Sequence, residues 1–255
     1  MSCYYYSVIN QTKDPIMKNV DLAIVLMMEN SNRLKKDPFL LNLAKKTIIQ
    51  YNKGFKCCEK PNVIDASNKD ILHAYYTAFQ YTTDYNNVLI LEEDAEILYY
   101  TKSHYKIVDD YISGEFKIFS FANYGEFTQI NENFYKSSVI CGAHAQIISK
   151  SHRFTLMEKI KQKNFVGHID HDYFCDDVVV YKYPLIVQLF TDTINKKTWN
   201  TDKTVSHFFI KLLEVDKNKS GWEMIHAFSK LKGKKYIGLY TCIIVMIFAL
   251  IIYRK

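Results

Sequence analysis

The stretch that most constrains the fold is Asn86 to Ile97, NNVLILEEDAEI. Two turn-forming Asn residues give way to the apolar run Val88-Leu89-Ile90-Leu91, which stops at the carboxylates Glu92, Glu93 and Asp94. A short unbroken aliphatic run bounded by turn formers predicts a strand covered on both faces, as at the centre of a parallel sheet. The acids then fall at its carboxyl end, where open α/β sheets hold their ligands. Side chains alternate along a strand, so Glu92 and Asp94 are expected to point one way and Glu93 the other. Two carboxylates on one side offer hard oxygen ligands suited to Mg²⁺ or Mn²⁺. The bland alternative is that the acids merely solvate a strand end.

The rest of the chain repeats this grammar. Val20 to Met28 is a second apolar run, and it ends in Glu29-Asn30-Ser31-Asn32-Arg33, where Asn30 and Arg33 could hold a phosphate or a base edge. Phe39 to Tyr51 has apolar residues at helical spacing, with Asp37-Pro38 as a start signal and Asn52-Lys53-Gly54 as a stop. Val63-Ile64 reads as a short strand, and Ile71 to Tyr81 as a helix capped by Ser67 and Asp70. Helical spacing returns at Ser103 to Ile112 and Lys150 to Lys161, and strands are expected at Phe116 to Phe121, Asp177 to Tyr183 and Leu185 to Phe190. Val139 to Ser149 reads as two strand pieces around Gly142-Ala143, small residues that let a ligand approach the backbone. The class is α/β.

Composition narrows the partners. Of 255 residues 48% are apolar, enough for one large α/β domain with an appendage. The net charge of +6 comes from scattered Lys without a long basic run interleaved with aromatics, so nucleic acid is not an expected partner. The six Cys residues show no zinc spacing, and free thiols are expected. No basic start and apolar core mark the N-terminus as a secretory signal. Tyr236 to Ile252 carries no charge and is flanked by Lys234-Lys235 and Arg254-Lys255, which predicts a single membrane span at the short end of the ~17–25 residues needed. We therefore expect a globular domain at 1–217, a basic juxtamembrane helix at 218–235 and an anchor at 236–252, with the globular part facing the cytosol. Lys230 to Lys235 would then meet anionic headgroups. Usage rich in Lys, Asn, Ile and Tyr points to an AT-rich coding sequence of the kind large DNA viruses carry.

The densest ionisable cluster is His168-Ile169-Asp170-His171-Asp172. His168 and Asp172, four apart, could share a helix face and a metal. Gly167 before them favours a loop instead, in which Asp170 first, or Asp172 second, acts as general base on a hydroxyl. A polar turn is the bland alternative. His73 and His207 are more simply packed side chains. No GxGxxG, P-loop, GxSxG or HExxH pattern occurs.

VLILEEDAEI at Val88 to Ile97, CGAHAQIISKSHRFTLMEKI at Cys141 to Ile160, HID at His168 to Asp170, VVVYKYPLIVQ at Val178 to Gln188 and SNKDILHAYYTAFQY at Ser67 to Tyr81 together resemble the family 25 glycosyltransferases, the lipooligosaccharide and procollagen galactosyltransferase type. The resemblance spans Val20 to Trp199. It implies a GT-A-like, Rossmann-like mixed and mostly parallel sheet flanked by helices. It also implies a nucleotide-sugar donor, such as a UDP-sugar, and transfer to a glycan, protein or lipid hydroxyl with inversion. On this resemblance Glu92 and Asp94 would hold Mn²⁺ or Mg²⁺, while Asn30, Arg33, Glu93, Gly142 and Ala143 would line the donor site. Asp170 or Asp172 would take the acceptor proton. The family's Glu-Asp-Asp pattern reads Glu92-Glu93-Asp94 here, and the loop after the first strand departs from the family's form. The alternative is a membrane-anchored protein that keeps the fold and binds a partner without catalysis.

Overall fold

The computed structural model describes residues 3–32, 34, 37–54, 67–98, 100–121, 124–175 and 177–188. Arg33, Val63-Ile64, the 218–235 segment and the 236–252 anchor lie outside the described residues. Among the described residues no helix is long and apolar enough to cross a membrane.

The chain opens with strand β1 (Tyr4–Gln11), then β2 (Leu22–Met28), the one-turn helix α1 (Pro38–Leu41) and β3 (Lys46–Asn52). Helix α2 (Ser67–Tyr81) leads into β4 (Asn87–Glu92) and the short β5 (Ala95–Ile97). Next come α3 (Lys102–Ile112), β6 (Ile118–Ser120), β7 (Tyr124–Gln129), β8 (Phe134–Cys141) and β9 (Ala145–Ser149). Helix α4 (Lys150–Gln162), a single π turn (Ile169–Tyr173), β10 (Val178–Tyr181) and β11 (Ile186–Gln188) complete the order.

Nine strands form one sheet in the order β1-β3-β2-β4-β9-β6-β10-β8-β7, and β11 pairs with β5 in a small second sheet. The large sheet is mixed. The pairs β3–β2, β2–β4 and β6–β10 are parallel, and the other pairings are antiparallel. Six strands consequently share one direction, against which β1, β8 and β9 run.

Strand β4 shows why the run VLIL had to be central. Val88 and Ile90 pack with Leu72, Tyr75 and Phe79 of α2 and Leu156 and Ile160 of α4. Leu89 and Leu91 face the opposite layer, with Leu40 of α1 and Tyr105 and Val108 of α3. All four are fully buried, each contributing about 1.5–3 kcal/mol of transfer free energy. Both periods of the strand need apolar cover, so no polar residue interrupts it until Glu92.

The helix expected over Phe39 to Tyr51 is corrected. Asp37 accepts from the Phe39 amide at 2.7 Å and Pro38 starts a helix, but it lasts one turn. Thr47, Ile48, Ile49 and Tyr51 then enter β3, between β1 and β2. β-branched and aromatic residues favour a pleated surface, and tertiary pairing overrides a helical spacing that Leu40 and Leu43 had suggested.

Candidate functional site

Strand β4 delivers its acids to the carboxyl ends of β2 and β4, as expected from the sequence. Glu92 continues the Val88–Ile90 face, and its amide donates to the His144 carbonyl at 2.9 Å. Glu93, buried, turns to the neighbouring strand and accepts from the Met28 amide at 3.1 Å. Asp94 is 4% exposed and sits in the turn that β5 closes by pairing with β11.

Glu92 meets a crowd of like charge. Burial, then Asp94, with Asp170 and Glu93 adding to it, pushes its carboxyl up to about 8, while His144 pulls the other way. Asp170 comes from the π turn, about eighty residues along the chain, and reaches the same place: its Oδ2 accepts from the Gly142 amide at 3.1 Å. Tyr75 of α2, fully buried, donates to the Ala143 carbonyl at 2.6 Å. Its hydroxyl is held far above its ordinary range by burial and by the charges of Glu92, Asp170 and Asp94. Asp170 and Tyr75 thus meet at the Gly142–Ala143 turn, and Glu92, Asp170 and Asp94 all act electrostatically on this one hydroxyl.

Gly142 makes the turn possible with φ +105°, a value that disfavours a side chain. Its carbonyl accepts from Gln146 Nε2 at 3.0 Å.

The two acids of the π turn have different work. Asp172 folds back and accepts from the His168 amide at 2.7 Å, and a Cβ on Gly167 would come within 2.6 Å of its Oδ2. It shapes the turn. Asp170 faces the Gly142 turn and is half-buried, His168 and His171 are exposed, and the Asp172 carboxylate is engaged by the His168 main-chain amide within a π turn rather than an α-helix face. Asn30 is exposed in the turn after β2, and Asn30 makes no hydrogen bond to the acids.

Among the described residues no three His, Cys, Asp or Glu side chains stand in a ligating arrangement. The donor set still fits a cation by its chemistry: hard oxygens repel one another strongly enough to raise Glu92, and Mg²⁺ commonly uses one or two carboxylates plus substrate phosphates rather than an all-protein cage. A groove of about 550 Å³ lies at the other end of the sheet, lined by Thr12, Asp21, Lys45, Lys46 and Tyr85. There Asp21 is already engaged by Lys45 at 2.7 Å and by the Asn86 amide at 2.9 Å, so its charge is spent on structure.

Sequence reasoning did not single out Tyr75, His144 and Gln146. Their signal was a polar atom inside otherwise apolar runs, the feature that buried hydrogen bonding requires.

No family model matches the chain, and no curated protein does. Among solved structures, the crystal structure of A197 from STIV is similar over 66% of this chain and 84% of that one, with a TM-score of 0.40 and 14% identity.

Proposed function

We propose that this chain is a GT-A-like glycosyltransferase of the family 25 type, which moves a sugar from a nucleotide-sugar donor, a UDP-sugar by preference, to an acceptor hydroxyl. The observation that carries this reading is that Asp170, Tyr75 and the main chain of Glu92 all bond the 142–144 turn, beside the carboxyl end of the strand that carries Glu92, Glu93 and Asp94. Donor acids from a strand end and a separate base from a distant turn are what displacement at an anomeric carbon needs. Asp94 and Glu92 would hold Mn²⁺ or Mg²⁺, whose Lewis acidity neutralises the departing diphosphate. Asp170 is the acid that accepts the proton of the acceptor hydroxyl as its oxygen bonds to the anomeric carbon and the bond to the diphosphate breaks, inverting that carbon. Gly142 and Ala143, small residues beside it, would line the sugar's place. Asp172 holds the turn that aims Asp170. The anchor expected at 236–252 would keep this chemistry at a cytosolic membrane face.

The test is release of UDP from a panel of UDP-sugars by the full chain in detergent with Mn²⁺. Asp94→Ala and Asp170→Asn are expected to lower turnover by about 10²–10⁴, the scale of losing a general base or a charge-stabilising group. No release from any donor, with Asp94→Ala indistinguishable from the parent, sinks the enzyme reading. A second reading, a catalytically inactive membrane-anchored GT-A-like binding protein, is favoured by the Glu92-Glu93-Asp94 departure from the family's Glu-Asp-Asp and by the altered loop after the first strand. It predicts glycan or partner binding that survives Asp94→Ala.

A further inference from the structure

The turn Gly142-Ala143-His144 exchanges hydrogen bonds with Asp170, with Tyr75 and with the main chain of Glu92. The Gly142 amide donates to Asp170 at 3.1 Å, the Ala143 carbonyl accepts from Tyr75 at 2.6 Å, and the His144 carbonyl accepts from the Glu92 amide at 2.9 Å. A fourth bond, Gln146 Nε2 to the Gly142 carbonyl at 3.0 Å, ties the turn to β9.

We infer that Tyr75 is a positioning residue that, through the 142–144 turn, couples the cation-side acid Glu92 to the acceptor-side acid Asp170. The inference rests on the glycosyltransferase reading of this site. Three observations favour it over a role in packing alone. Tyr75 is fully buried between Phe79 and Phe174, where Phe would fill the same volume without desolvating a hydroxyl. Its hydroxyl goes to a main-chain carbonyl that no side-chain substitution could replace. Asp170 and Glu92 are carried by elements far apart in the chain, and this turn is where hydrogen bonds from both arrive.

Tyr75→Phe keeps the ring and removes its bond to the Ala143 carbonyl. In the full chain in detergent, Mn²⁺ titrated at fixed UDP should show half-saturation rising by roughly fivefold, the size expected for losing one neutral hydrogen bond, with the thermal midpoint held within a few degrees. Turnover should fall as well, and a double-mutant cycle with Asp170→Asn should fall short of the product of the single effects by at least about threefold, since coupled neighbours are not additive. A purely structural Tyr75 would move the midpoint and leave the cycle multiplicative. If Tyr75→Phe does not fold, Gln146→Leu loosens the same turn from β9 and carries the same expectation. A parent chain that binds no Mn²⁺ with UDP removes the underlying glycosyltransferase reading. A parent that binds, with Tyr75→Phe binding equally well and combining multiplicatively with Asp170→Asn, overturns this inference and leaves that reading standing.

Discussion

Glu92 occupies a place where a carboxylate is poorly solvated and surrounded by other acids, so its charge works against the fold. The unfolded chain gives up this proton near 4.5 and the folded chain near 8. The sign follows from linkage: stability is whole below about 4.5 and is lost as pH rises from there to about 8, because only the unfolded state ionises freely in that window. Glu92→Gln removes the loss. The variant is expected to melt higher than the parent at pH 9, by at least about 1 kcal/mol or about 2–4 °C, while turnover disappears. Melts that put the parent above the variant at pH 9 contradict the burial argument. Divalent cation should narrow the gap by stabilising the charged parent alone. The triplet was legible in the sequence because acids at the end of an apolar run stand out. Tyr75 was not, since a Tyr among Ala74, Tyr76 and Phe79 reads as core and its hydroxyl finds a purpose only after the 142–144 turn has been folded against it.

At the level of elements, the link from α2 to β4 is held from beneath by one cation. Arg153 of α4 is 1% exposed and donates to the carbonyls of Ile148, Tyr85, Thr82 and Asn86 at 2.6, 2.5, 3.1 and 3.1 Å. Burial pulls its guanidinium down to about 10, which still leaves it charged at neutral pH. Lys cannot present this planar fork, so Arg153→Lys is expected to cost about 2 kcal/mol and Arg153→Ala about 3–5 in chemical denaturation, with the slope unchanged. Farther along the sheet Asp177 ties Lys117 of the β6 entry and Lys136 of β8, and these partners hold its carboxyl down at about 2. The bonus is present above about 3.8 and fades as pH falls toward 2, so Asp177→Asn should differ from the parent at pH 6 and match it at pH 2. Its 41% exposed side chain limits the difference to about 1 kcal/mol. Such ties explain what was legible among the elements. Strands bounded by turn formers and helices with a clear apolar stripe were readable. KTIIQY was not, because after one helical turn its partners on β1 and β2 decide its state. The π turn was equally hidden, as Gly167 announces a bend without saying that Asp172 will fold back to cap it.

Across the whole molecule, the parallel strands β3, β2 and β4, the last of which carries the acids, are closed on one side by β1, an antiparallel edge strand. Tyr4 to Gln11 holds no charged residue, an unusual choice for an edge, which natural sheets guard with charge, Pro or bulges. Its register against β3 slips between Val8 and Asn10, a bulge that serves part of that purpose. The strand is fastened to both helical layers: Tyr6 stacks on Tyr81 of α2 at 4.0 Å, and Asn10 Nδ2 donates to the Leu41 carbonyl of α1 at 2.8 Å. Removing residues 1–11 would strip these ties and present Ile48 and Ile49, both buried, on an open strand. The truncated chain is therefore expected to aggregate, and light scattering at matched concentration measures it. Val8→Lys separates edge chemistry from folding, because Val8 is 56% exposed and its side chain leaves no cavity when changed. That variant should keep the melting point within about 1 °C of the parent, the usual range for exposed sites, and scatter less light as concentration rises. A truncated chain that stays monomeric and retains the parent's UDP release would show that β1 contributes nothing to the strands carrying the acids.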